Sequence, residues 1–342
     1  MEKQRILYID LAKCIAIYLV LWGHVLGSLT SPLISSETLV KGTSNLIYSF
    51  HMPLFMFLSG LFASSALKKP LISMLWQKGR QLLWPCITFG FILSFFWYRW
   101  NVNLDALKHG PLWYGLFYDY WFLHSLFANF CVAWFVYRLP RKFHVWGFIT
   151  AEMLICVAFS MGHNLANMAT MMPFFFAGIE AKRYLDFVKK HKHWIFMVSM
   201  IIFCILFFRY KSDFNSSMYF FQPFSLSKLT ELFYRFFIGA AGSMAMLSLC
   251  LMLEERYKDK KQFVNVCKIG GGTLYIYILQ GVLLECILAH YYKICMNAGI
   301  YALVFAPLIS LASLVLCQYL TVSIKRISFL DTVLFGNFKR KS

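Results

Sequence analysis

At 342 residues, 60% hydrophobic and 19% aromatic with only 14% charged, the chain lies far from the quarter-charged composition of a soluble domain. Its formal net charge of +18 does not point to nucleic acid, because the basic residues stand in short clusters between apolar runs, where they orient helices and meet anionic lipid. Composition thus excludes a soluble domain and predicts an all-α, polytopic membrane protein: one helical domain over 1–342 with about ten transmembrane helices in one bundle.

The first predicted span, 6–29, carries Asp10, Lys13 and His24 inside its apolar run. An ionisable group at membrane depth is costly unless it is paired or faces a polar cavity, so three in one span mark a functional site. Eleven residues separate Lys13 from His24, a rotation of roughly 20° and a rise of roughly 16 Å in a helix, so both lie on one face at different depths. Asp10 falls on that face one turn earlier. The plain alternative is an interfacial Asp10 and Lys13 pair that snorkels to the headgroups, with His24 capping a polar patch.

The second span, 43–67, places His51 near the level of His24, and Pro53 is expected to interrupt the helix. His51 reads equally well as part of a polar ring beside His24 or as a histidine satisfied by a backbone carbonyl. Lys78 and Arg80 precede the third span, 82–98, at the expected cytoplasmic surface; they could clamp a phosphate-bearing ligand or simply orient the helix. The fourth span, 121–137, opens with Trp121 and His124 at the outer level. Spans follow at 145–161, with Glu152 inside, and at 166–181, 194–208 and 229–253. The ninth, 264–289, contains Tyr277, Gln280 and Glu285, and the tenth runs over 301–324.

With the first residues placed inside, most of the 33 lysines and arginines fall in cytoplasmic segments, so both termini are expected there. The first span has no cleavage-site pattern and is expected to remain as a helix. The aromatic-rich outer loops, 99–120 and 210–228, read as interface anchors or as walls of a substrate groove. Ten cysteines are scattered without a C-x-x-C pair or ligand spacing, so neither a disulfide framework nor a metal site is expected.

Several blocks recur together in one order: Asp10, Lys13 and His24 as D-x-x-K-x(10)-H, FHMPLFMFLSG from Phe50, the basic stretch into QLLWP at 81–85, WFLHSLF from Trp121, PFFFAGIEAKRY at 173–184, and LYIYILQ at 274–280. Together they resemble the acyltransferase 3 family of membrane proteins. The resemblance implies a ten-helix fold that moves an acyl group, usually acetyl, from cytoplasmic acyl-CoA to a hydroxyl of a carbohydrate or lipid-linked glycan, with no metal, in a bacterial cytoplasmic membrane. Its catalytic histidine maps to His24 and its basic partner to Lys13, with Asp10 beside it. Lys78 and Arg80 would hold the donor; His51, Trp121, His124, Tyr277, Gln280 and Glu285 would face substrate.

Two positions depart from the family's usual pattern. Arginine is common where this chain has Lys13, which turns a two-pronged contact into a point charge. Histidine commonly ends the LYIYILQ block, and Gln280 can exchange hydrogen bonds but cannot act as a base. The competing reading is a transporter or flippase of a glycan or lipid precursor, for which polar groups in a bundle are equally natural. Its mark, broken helices at matching places in two repeated halves, is not apparent. The oligomeric state is not legible.

Overall fold

The computed structural model describes residues 5–28, 38–100, 120–157, 163–209, 226–288 and 297–337, and among them every regular element is helical. Helix α1 (Leu7–Ser28) is apolar on nearly all sides and lacks proline. A helix of that kind has no face to give to water and is surrounded by others. Among the described residues, it packs against α2 (Thr38–Leu61), α9 (Leu226–Tyr257), α10 (Lys261–Gly270), α11 (Thr273–Gln280) with its π-helical continuation Gly281–Leu288, and α12 (Ala306–Arg326).

Between α2 and the rest lie α3 (Leu71–Lys78), a π-helical turn (Gly79–Leu83), α4 (Trp84–Trp100), α5 (Trp121–Val136), α6 (His144–Val157), α7 (His163–Ala181) and α8 (Lys192–Arg209). A last short helix, α13 (Ser328–Phe335), follows α12. Helices thus occur at all ten places where spans are predicted. By length and composition, four described helices are able to cross a membrane, at 7–27, 192–209, 230–257 and 298–326, and five if the bent pair α10 and α11 is one span.

Two expectations are corrected here. Pro53 does not interrupt α2, which runs unbroken from Thr38 to Leu61. Proline removes one donor from the ladder, and the side chain of Pro53 meets α9 at Gly239, where an added Cβ would stand 2.9 Å from its Cγ. The ninth span is not continuous: α10 and α11 meet at a bend of 62° around Gly271 and Gly272. The cause is visible one residue earlier. Gly270 presses on α1 so closely that a Cβ there would lie 2.0 Å from the Asp10 carbonyl oxygen, and the glycine run turns the chain away from that contact.

Helix α2 is held from its other sides by the same device. A Cβ on Gly178 of α7 would stand 2.1 Å from the Phe57 carbonyl oxygen, and one on Gly60 of α2 would stand 2.1 Å from that of Phe175. Small residues let helix backbones touch where lipid gives no hydrophobic push between helices. Phe130 of α5 meets Phe175 edge to face at 5.0 Å, closing the far wall of the core.

Candidate active site

Basic residues from distant parts of the chain collect at one end of the bundle. The Lys69 carbonyl accepts from Trp134 Nε1 at 2.8 Å and from Arg138 at 3.0 Å. Lys182 donates to Ser64 at 2.9 Å, and Glu180 is held by Tyr137 at 2.7 Å and paired with Arg183. Lys325 lies over the Tyr275 ring, 4.3 Å from its centroid.

Lys78 is the informative member of this group. Its Nζ stands 4.1 Å above the Phe130 ring centroid and donates to Gln81 Oε1 at 3.2 Å. Lys69 donates to Gln77 at 2.7 Å. Both ammonium groups therefore rest on neutral amides and lack a carboxylate among their described hydrogen bonds. Burial, and after it the neighbouring Lys69 charge, lowers the Lys78 ammonium to about 8. Two cations held close on neutral partners make a site that favours an arriving anion.

A cavity of about 200 Å³ opens above Gln81. Lys13, Ser59, Gln81, Thr273 and Tyr277 supply its polar lining, and Met52, Phe55, Phe122 and Leu126 are among its apolar walls. Gln81 and Leu82, which line the cavity, both belong to the π turn; such turns recur at functional sites. Tyr277 is fixed between Tyr120 and Phe122, at 6.2 and 5.8 Å between ring centroids. The Tyr120 hydroxyl donates to the Ile278 carbonyl at 3.3 Å, tying α5 to α11 at the cavity's end.

The structure brings the expected residues together in two groups. Lys13 and Tyr277 share the cavity. His24 and His51 form the second group, at a level set by Tyr48: Gly23 lies against the Tyr48 ring, with its Cβ position 2.9 Å from it, and that ring meets His51 edge to face at 5.0 Å. The two imidazoles are close enough to act electrostatically on one another. His51 is buried, and its Nδ1 lies 2.6 Å from the Ile47 carbonyl. A carbonyl only accepts, so Nδ1 carries the proton and Nε2 is the basic nitrogen of the neutral ring. Met52, next in the chain, lines the cavity.

Other expected residues stand apart from this cavity. Asp10 meets α10 through its backbone, while its carboxylate acts on Lys13 electrostatically. Trp121 and His124 flank the cavity residues Phe122 and Leu123 without lining it. Gln280 is buried, with no hydrogen-bond partner on Oε1 among the described residues. Arg80 sits on the π turn with its stem beside Gly336. The Glu285 side chain and most of the two outer loops lie outside the described residues. Ser59, Phe122 and Thr273 were not singled out from sequence; Ser59 and Phe122 sit within the FHMPLFMFLSG and WFLHSLF blocks, and Thr273 follows three glycines.

A cavity with a lysine at one level and a histidine pair above it can accept a small polar-headed group and move a proton. Comparison with curated proteins and with solved structures finds no match. Among protein-family models, the acyltransferase 3 model, described as an acyltransferase domain, matches residues 6–322 and so takes in α1 through most of α12. The chain therefore belongs to the acyltransferase 3 family, as an integral membrane acyltransferase.

Proposed function

We propose that the protein transfers an acyl group, most simply acetyl, from cytoplasmic acyl-CoA to a hydroxyl of a cell-surface carbohydrate or lipid-linked glycan, in a bundle of ten spans with both termini in the cytoplasm. The observation that carries this reading is the cavity between the basic end and the histidine pair. Phosphates of the donor would meet Lys69, Lys78 and Arg80, and its thioester would enter past Gln81 and Lys13.

The acceptor hydroxyl then attacks the thioester carbonyl while His24 takes its proton as general base. A C–O bond forms, the C–S bond breaks, and the proton passes to the departing thiolate. His51, with Nδ1 fixed on Ile47, would keep Nε2 as its basic nitrogen near His24. Trp121, His124, Gln280 and Glu285 would shape the acceptor side.

The test uses membranes containing the full chain, labelled acetyl-CoA and mass spectrometry of the surface glycans. Wild-type protein is expected to add label. His24→Ala and His24→Gln should both lower the rate by about 10²- to 10⁴-fold, the usual worth of a general base, at unchanged abundance. Wild-type labelling by His24→Ala would refute the assignment; high activity in His24→Gln alone would reduce His24 to positioning the acceptor.

A further inference from the structure

Residues beyond the matched region, which ends at 322, complete the basic end. Helix α13 stops at Gly336, whose φ of +65° belongs to the left-handed region that glycine favours. A side chain there would also collide, because a Cβ would stand 2.9 Å from both Cγ and the carbonyl oxygen of Arg80. The cap thus sits flush on the π turn. Two carbonyls at the end of α13 are taken up by α4: Trp84 Nε1 donates to Val333 at 2.8 Å and the Thr88 hydroxyl to Leu334 at 2.8 Å.

The same short helix grips α11. The Tyr275 hydroxyl donates to Asp331 Oδ1 at 2.5 Å, and Asn337 Nδ2 donates both to that oxygen, at 3.1 Å, and to the Tyr275 hydroxyl. Phe335 is buried and stacks on Tyr275 at 4.0 Å. At about 100° per residue, Tyr275 points away from Thr273 and Tyr277, which line the cavity. The helix therefore braces one cavity wall, α11, from behind, and the other, the turn bearing Gln81 and Leu82, from below.

We infer that Ser328–Asn337 is a clasp holding α11 and the π turn at the separation that donor binding requires, with Asp331, Gly336 and Asn337 as positioning residues. The donor part of this inference rests on the function proposed above; the bracing of the cavity walls does not. Breaking the clasp leaves the histidine pair in place and loosens the mouth, so its effect falls on donor affinity.

The test compares Asp331→Ala, Tyr275→Phe and Asp331→Asn in the purified full chain. Asp331→Ala and Tyr275→Phe should each raise the KM for acetyl-CoA about tenfold, the order of one buried hydrogen bond, with kcat little changed. Asp331→Asn keeps an oxygen acceptor for Tyr275 and should stay near wild type. Should Asp331→Ala not fold, Tyr275→Phe carries the comparison. Independently of turnover, a Thr273→Cys probe in a chain lacking its native cysteines should react faster with a polar maleimide when Tyr275→Phe is added. An unchanged donor KM overturns the positioning role, and an unchanged labelling rate overturns the clasp itself. Absence of transfer in wild type would refute the acyltransfer reading, and the labelling rates would still decide the clasp.

Discussion

Lys78 holds a charge where its surroundings resist one. Burial and the Lys69 ammonium bring it down to about 8, and its described partners are an amide and a ring face. A bound phosphate would supply the missing opposite charge and favour the protonated form. As pH rises through about 8 the free enzyme loses that charge, so the KM for acyl-CoA should climb between about pH 7 and pH 9. Donor phosphates are already ionised across that range, with second pKa values near 6, and do not produce the trend. Lys78→Arg should flatten the profile, because a guanidinium stays charged throughout. Steady-state kinetics at saturating acceptor would check this, and a flat wild-type profile would remove Lys78 from the donor site. The sequence marks Lys78, with Arg80, as a candidate phosphate clamp; the Phe130 ring beneath its ammonium comes from a helix remote in the chain and is not legible there.

At the scale of elements, glycines decide which helices touch. Gly60 and Gly178 meet reciprocally, each with its Cβ position 2.1 Å from the other helix's carbonyl oxygen, a separation that no side chain tolerates. Gly178→Ala should therefore push α2 and α7 apart and destabilise the protein by about 1–3 kcal/mol, the usual cost of overpacking a filled core. Gly42 lies on α2 with nothing within 4 Å of its Cβ position, and Gly42→Ala should be neutral or slightly stabilising because alanine favours helix. Thermal unfolding of the two variants in detergent would separate them; equal midpoints would mean that α2 and α7 can part without loss. The α10 and α11 bend belongs to the same category. A hydropathy reading of 264–289 sees one apolar run, since the reason for the break is the Asp10 backbone pressed against Gly270, and neither residue announces the other.

Across the whole molecule, what was legible was what periodicity and composition carry directly. The all-helical architecture follows from composition, and Lys13, which shares the cavity with α2 residues, and His24, near His51 of α2, lie on one side of α1, as helical spacing requires. The cavity was only half legible: Lys13 and Tyr277 belong to blocks recognisable in the sequence, whereas Thr273 gains its place from the turn that precedes it. The clasp was not legible at all, because SFLDTVLFGN has no polar pattern of its own and acquires meaning only against Tyr275 and Arg80. The gathering of the basic ends gives the last prediction. Lys192 pairs with Glu255 at 3.0 Å, Glu254 accepts from the Tyr8 backbone at 3.2 Å, and Lys182 reaches Ser64, so the segments around 5–8, 64, 182–192 and 254–255 lie at one end of the bundle. Positive charge flanking spans is retained on the cytoplasmic side, and this end should therefore be cytoplasmic. A cysteine at Lys189, on the exposed short helix Leu185–Lys190, should resist an impermeant maleimide in intact cells and react once the membrane is opened. Labelling in intact cells would invert the bundle, and the donor would then have to enter from the opposite face, where Lys69 and Lys78 could not meet it.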